Sequence, residues 1–197
     1  MFETEGLNEY QEDLLKIAFE EIEQYPSNQF LTKTLRQEGF KFNFKFDAQQ
    51  QAPGSYSPST KTITLRGQDD INYMTILEEL FHAYQDIKIG IGQFLVQPFE
   101  GRSNIEFEAK LYHDLICLVE GANFGIVSQG GTSIEYLNWI NSFTSEGTSL
   151  KLNIEAFNNK YYELLQKFVE EKPIYSYPID YNMKPTSMLF ILENYSK

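Results

Sequence analysis

Thr75, Glu78, Glu79, His82 and Asp86 recur at spacings of three and four within residues 71–86. On a helix that spacing places them on one narrow stripe. The rest of the segment is apolar in two adjacent rows, Met74, Leu77, Phe81, Tyr84 and Ile76, Leu80, Ala83, Ile87. A helix apolar around most of its circumference belongs in an interior. Carboxylates carried into an interior are costly unless they meet a cation, a metal or water in a cleft. Two glutamates and an imidazole at this spacing can hold a divalent ion or move a proton at a substrate.

The elements that must position these residues follow from the patterning. The chain has 197 residues, enough for one domain with a sizeable core, and we expect a single domain over 1–197. Residues 8–24 read as an amphipathic helix burying Leu14, Leu15, Ala18, Phe19 and Ile22, with Pro26 ending it. Residues 30–36 suit a short helix. Residues 40–46 alternate with Phe on one face, and 61–66 alternate again, so both read as strands. Residues 47–59, rich in Gln, Pro, Gly and Ser, read as a turn or exposed loop. Asp69 or Asp70 then caps the central helix. A glycine-bearing connection over 90–102 leads to a second long helix near 103–119, followed by a break over 121–131. Further helices are expected over 132–143 and 153–172, the latter burying Ile154, Phe157, Tyr161, Leu164, Leu165 and Phe168. A short closing helix is expected through 189–192, after a tail punctuated by Pro173, Pro178 and Pro185. No internal repeat is present. This order implies an α+β fold with segregated elements.

Net charge is −12, which argues against nucleic acid, whose phosphates need a basic footprint, and against an anionic membrane surface. The one cysteine, Cys117, excludes an intrachain disulfide and a Cys-rich zinc module. It lies in an apolar run and reads as a small core residue, with His113 the one local base that could activate it. The opening Met-Phe-Glu-Thr-Glu lacks a basic signal-peptide start, so the expected compartment is the cytoplasm.

Residues 54–112 resemble the zincin metallopeptidases. The working helix of that family carries His-Glu-x-x-His, in which two histidines bind zinc and the glutamate between them acts as general base. The corresponding run here is Glu78-Glu79-Leu80-Phe81-His82, continued by Ala83-Tyr84-Gln85, with Glu78 in place of the first histidine. Upstream, residues 54–65 are similar to the turn and strand that precede the active helix in that family, at a sheet edge that pairs with extended substrate. Many zincins take a third ligand from a Glu-x-x-Ala helix. Glu106-Phe-Glu-Ala109 matches that gluzincin-like pattern, with Lys110 where the family often has Asp. Glu108 lies about 200° from Glu106 around a helix, so both cannot face one ion.

The resemblance implies a zincin-like α+β fold with a small antiparallel or mixed sheet, a central active-site-type helix and additional C-terminal helices. It implies Glu79 as catalytic base and Glu78, His82 and Glu106 as metal ligands. Zinc is the metal it implies; a set of two carboxylates and one imidazole also suits manganese or iron. Two ligand carboxylates nearly neutralise a divalent ion and weaken it as a Lewis acid. The expected function is therefore a degenerate metallopeptidase with residual metal-dependent hydrolysis. The alternative is a non-catalytic relative that takes a peptide or protein in the old groove, with a divalent metal or none at the site.

Other readings of the same residues are open at this point. Glu78 could pair with Arg66, Arg102 or a lysine, leaving His82 a core histidine. Glu79-x-x-His82 is also the unit of di-iron bundles, but the second unit is missing, since Lys110 precedes His113 where a glutamate would be required. Gly125, Gly130 and Gly131 form no phosphate loop. Tyr84 and Tyr112 are candidates for oxyanion contact. Tyr175, Tyr177, Tyr181 and Tyr195 read as packing, with hydroxyls reaching solvent.

Overall fold

The computed structural model describes residues 4–5, 7–94, 100–119, 121, 129–145, 149–150 and 154–194. Gly125 and Tyr195, and parts of the 90–102 and 121–131 connections, lie outside the described residues. Two compact units emerge, one within Met1–Gly92 plus Glu193–Lys197, the other within Gln93–Leu192. Helix and sheet are mixed, as the α+β expectation requires.

In the first unit, strand β1 (Thr4–Glu5) precedes helix α1 (Glu9–Ile22). Asn8 and Gln11 form a reciprocal cap at 3.0 Å in each direction. Leu15, Ala18, Phe19 and Ile22 are buried, with Leu14 half-buried at the edge of the stripe. Pro26 does not merely end α1. It is the first residue of helix α2 (Pro26–Gln37), where its missing N–H costs nothing and its fixed φ fits the first turn. Strand β2 (Phe42–Phe46) buries Phe42 and Phe44, while Phe46 is 38% exposed where the strand runs past the core.

The segment read as a loop contains a strand. Residues Gly54–Ser57 form β3, antiparallel to β4 (Thr62–Leu65) and in register Gly54↔Leu65 through Ser57↔Thr62. The sheet order is β1-β2-β4-β3, with β1–β2 and β2–β4 parallel, so the sheet is mixed and β3 is an edge.

Helix α3 (Tyr73–Ile89) packs on α1, α2 and β3. Its cap is Asn72, whose Oδ1 accepts from the Thr75 N–H at 3.1 Å, rather than Asp69 or Asp70. Residues Gln68–Asp70 instead make a 3-10 turn. Ile71 (φ −78°, ψ 80°) breaks the path between that turn and the helix. Gly90, at φ +66°, closes α3 in the left-handed conformation.

The second unit holds helices α4 (Arg102–Val119) and α5 (Ile134–Asn141), a short antiparallel pair β5 (Thr144–Ser145) and β6 (Ser149–Leu150), helix α6 (Ile154–Glu171), and helix α7 (Thr186–Asn194) as far as Leu192. Helix α7 is longer at both ends than the closing helix expected. The core is aromatic. Phe107 of α4 meets Tyr161 and Phe168 of α6 at 5.3 and 5.2 Å between ring centroids. Trp139 of α5 meets Phe143 and Phe157 at 4.9 and 5.0 Å. Tyr175 stacks on Phe168 at 5.3 Å, so part of the tyrosine-rich tail is packing. Among the described residues, no helix is long and apolar enough to cross a membrane.

Candidate metal centre

Helix α3 supplies three of the expected residues. Glu78 is half-buried, and Glu79 and His82 are 3% and 8% exposed. Glu78 and His82 stand one turn apart, the spacing that aims two side chains at one point. His82 Nδ1 lies 2.8 Å from Gln85 Oε1. An amide oxygen only accepts, so Nδ1 donates to it, and in a neutral ring this leaves Nε2 with the lone pair a metal would need. Gln85, fully buried, is thus an orienting residue that the sequence reading quoted but gave no role. Its signal was its place three residues after His82.

Glu79 lies against the edge strand. A Cβ built on Gly54 would stand 2.7 Å from both Glu79 Oε1 and Thr75 Cγ2. Only glycine lets β3 approach α3 this closely. Farther along the same pair of elements, the Tyr56 hydroxyl donates to Asp86 Oδ2 at 3.4 Å. Burial and the Asp86 charge push the Tyr56 pKa well above the ordinary phenol range.

Glu106 comes from the first turns of α4. That end of the helix is tied to the tail. Ser103 Oγ lies 2.8 Å from the carbonyls of Tyr175 and Tyr177 and accepts the Tyr177 N–H at 3.1 Å. Asn104 Nδ2 donates to the Asp180 carbonyl at 2.8 Å, and its Oδ1 accepts the Asp180 N–H at 3.1 Å. Glu108, as helical geometry requires, goes elsewhere and accepts the Met188 N–H in the first turn of α7 at 2.8 Å. Glu106 has the Arg102 guanidinium beside it, Nε to Oε1 3.9 Å. Arg66 is engaged with Asp70 at 3.1 Å.

Glu78, His82 and Glu106 together could hold a metal ion: each offers one ligand atom, and these atoms lie within 4.8 Å of one another. Two carboxylate oxygens and one imidazole nitrogen suit borderline and hard divalent ions, so the donor chemistry fits zinc, manganese or ferrous iron and does not choose among them.

Two expected helpers fall outside this geometry. Tyr84 follows His82 by two residues, about 200° around α3, and Tyr112 follows Glu106 by six, about 240° around α4. Both are fully buried core residues, and neither faces the same point as the ligands on its own helix. Cys117 is a core thiol: burial, helped by the Asp114 charge, raises its pKa to about 12, although His113 Nε2 is 3.7 Å from its sulfur. Asp114 is a structural acid. Its Oδ1 accepts the Gln129 N–H, and its Oδ2 accepts the Gly130 N–H and the Tyr136 hydroxyl, at 2.9, 2.8 and 2.6 Å. Gly130 and Gly131 serve this packing, because a Cβ on Gly130 would fall 2.3 Å from the Tyr136 oxygen.

Compared with known proteins, the chain matches no family model, no curated protein and no solved structure.

Proposed function

We propose that this chain is a degenerate zincin-like metallopeptidase domain that hydrolyses peptide bonds with a divalent ion held by Glu78, His82 and Glu106. The observation that carries the reading is the grouping of those three ligand atoms within 4.8 Å, with Glu79 next in sequence and buried. A divalent ion held there would acidify a water and polarise a peptide carbonyl. Glu79 takes the proton from the attacking water and returns it to the leaving amine. His82 is kept in its ligating tautomer by Gln85. The edge of β3, which has no strand partner among the described residues and lies beside Glu79, would offer main-chain hydrogen bonds to an extended peptide.

A second reading has one observation in its favour: Arg102 already supplies a cation beside Glu106. In that reading the chain binds an extended peptide at the β3 edge without cutting it.

Elemental analysis of protein purified without chelator separates the two. The hydrolase reading expects about one metal ion per chain in the wild type, and peptide turnover that Glu79→Gln abolishes while metal content stays. Metal present only after Glu78→His, with no turnover in the wild type, supports the binding module. Metal in neither protein removes the ligand set.

A further inference from the structure

We infer that Arg102 is a built-in competitor for the metal: it serves as the cation at Glu106 until a divalent ion takes its place, and so sets the affinity of the site. The inference rests on the ligand reading above and adds a residue to it. Arg102 and Glu106 are one turn apart on α4, with Nε 3.9 Å from Oε1 and side chains 28% and 12% exposed. That distance is too long for a hydrogen bond, and the buried Arg102 Nε has no hydrogen-bond partner among the described residues. The contact is therefore one of charge without a directed bond, and it is readily exchanged.

The guanidinium also has a resting place that does not depend on Glu106. Its central carbon lies 4.3 Å from the centroid of the Tyr177 ring, close enough for a cation–π contact. Tyr177 is itself fastened to α4 through its N–H on Ser103 Oγ. Arg102 can thus give up Glu106 and keep its aromatic platform.

A divalent ion and a guanidinium that compete for one carboxylate are thermodynamically linked, and each weakens the other. Removing the arginine charge should tighten metal binding. The scale is about tenfold, that of water-screened repulsion between a single and a double positive charge about 5 Å apart.

The test is titration of the full chain with Mn²⁺ and separately with Zn²⁺, read by competition with a fluorescent chelator. Wild type, Arg102→Met, Arg102→Gln, Arg102→Lys and Glu106→Gln are compared, with circular dichroism confirming the fold of each. The expected result is about tenfold tighter binding in the Met and Gln variants, near wild-type affinity in Arg102→Lys, and weakened binding in Glu106→Gln. Equal or weaker binding in folded Met and Gln variants, with the wild type still binding metal, overturns the role of Arg102 and leaves the ligand set intact. No binding of either ion by the wild type or by the arginine variants overturns the ligand set and this inference with it.

Discussion

Gly54→Ala tests whether the close approach of β3 to α3 is as tight as the structure describes. The added methyl would meet Glu79 Oε1 and Thr75 Cγ2 at 2.7 Å and Glu79 Cγ at 3.0 Å. Carbon atoms in contact prefer about 3.5–4.0 Å, so β3 must move outward by close to an ångström or Glu79 must change rotamer. The strand has little freedom to move. It is paired residue for residue with β4, and Tyr56 is anchored to Asp86 at its other end. Glu79 has little freedom either, being 3% exposed. Overpacking of this kind costs about 1–3 kcal/mol. For a chain of this length about 2 kcal/mol lowers Tm by about 4–8 °C. Thermal and urea unfolding followed by circular dichroism measure it. Thr75→Ser removes the Cγ2 methyl and should relieve part of the clash, so Gly54→Ala with Thr75→Ser should be more stable than the sum of the two changes predicts. A Gly54→Ala protein with wild-type Tm and wild-type denaturant midpoint would refute the argument. Additive effects in the double variant would assign the strain to Glu79 alone.

Two further outcomes follow from the second unit. Tyr136→Phe removes a 2.6 Å hydrogen bond to the buried Asp114 carboxylate, which keeps two backbone N–H donors. The expected loss is about 2 kcal/mol, and an unchanged urea midpoint would show that the hydroxyl contributes nothing there. Hydrogen bonds from Lys160 and then Lys167 hold the Glu135 carboxyl down at about 2. Because the folded value is depressed, its stabilising contribution is present above the unfolded carboxyl value of about 4.3 and is lost as pH falls through that range toward about 2. Carboxyl NMR titration should find the low value in the wild type and a value near about 4 in Lys160→Met with Lys167→Met. An ordinary value in the wild type would mean that the lysines are solvated in solution.

What was legible in the sequence is unequal across the elements, for physical reasons. Helix α3 could be read because its apolar rows are long and regular. Its start could not, because Asp69, Asp70 and Asn72 are all good caps, and the choice lies in the turn at Ile71. Pro26 both follows one helix and begins the next. Helix α2 was read too short because Ser27, Asn28 and Thr32 are buried along with Leu31 and Leu35, and they erase the apolar period. Strand β3 was hidden because Gly54, Ser55 and Ser57 carry no strand propensity of their own; pairing with β4 makes them a strand. At the site, the ligand candidates were visible as residue types at helical spacing. Gln85 and Gly54 stood in quoted segments without a role, because the tautomer and the close approach depend on partners that only folding supplies. Arg102 was named as a partner for Glu78, and its contact with Glu106 one turn away went unread.

The acids of this chain separate by what neutralises them. Asp114 and Glu108 are fixed by backbone N–H groups, and Asp114 also by a phenol. Such donors belong to the fold itself. Glu106 instead has the Arg102 guanidinium beside it at a non-bonding 3.9 Å, on an aromatic platform. With His82 neutral, the set of Glu78, His82 and Glu106 carries two negative charges, whereas Arg102 supplies one positive charge. A divalent ion carries twice the charge of that guanidinium. The more buried the three ligands are, the more that difference is worth, because the cost of an uncompensated charge rises as water is excluded. Metal affinity should therefore depend more steeply on the total charge of the set than on which carboxylate is kept. Glu78→Gln and Glu106→Gln should weaken Mn²⁺ binding by comparable factors, and a large difference between them would mean that one carboxylate alone holds the ion.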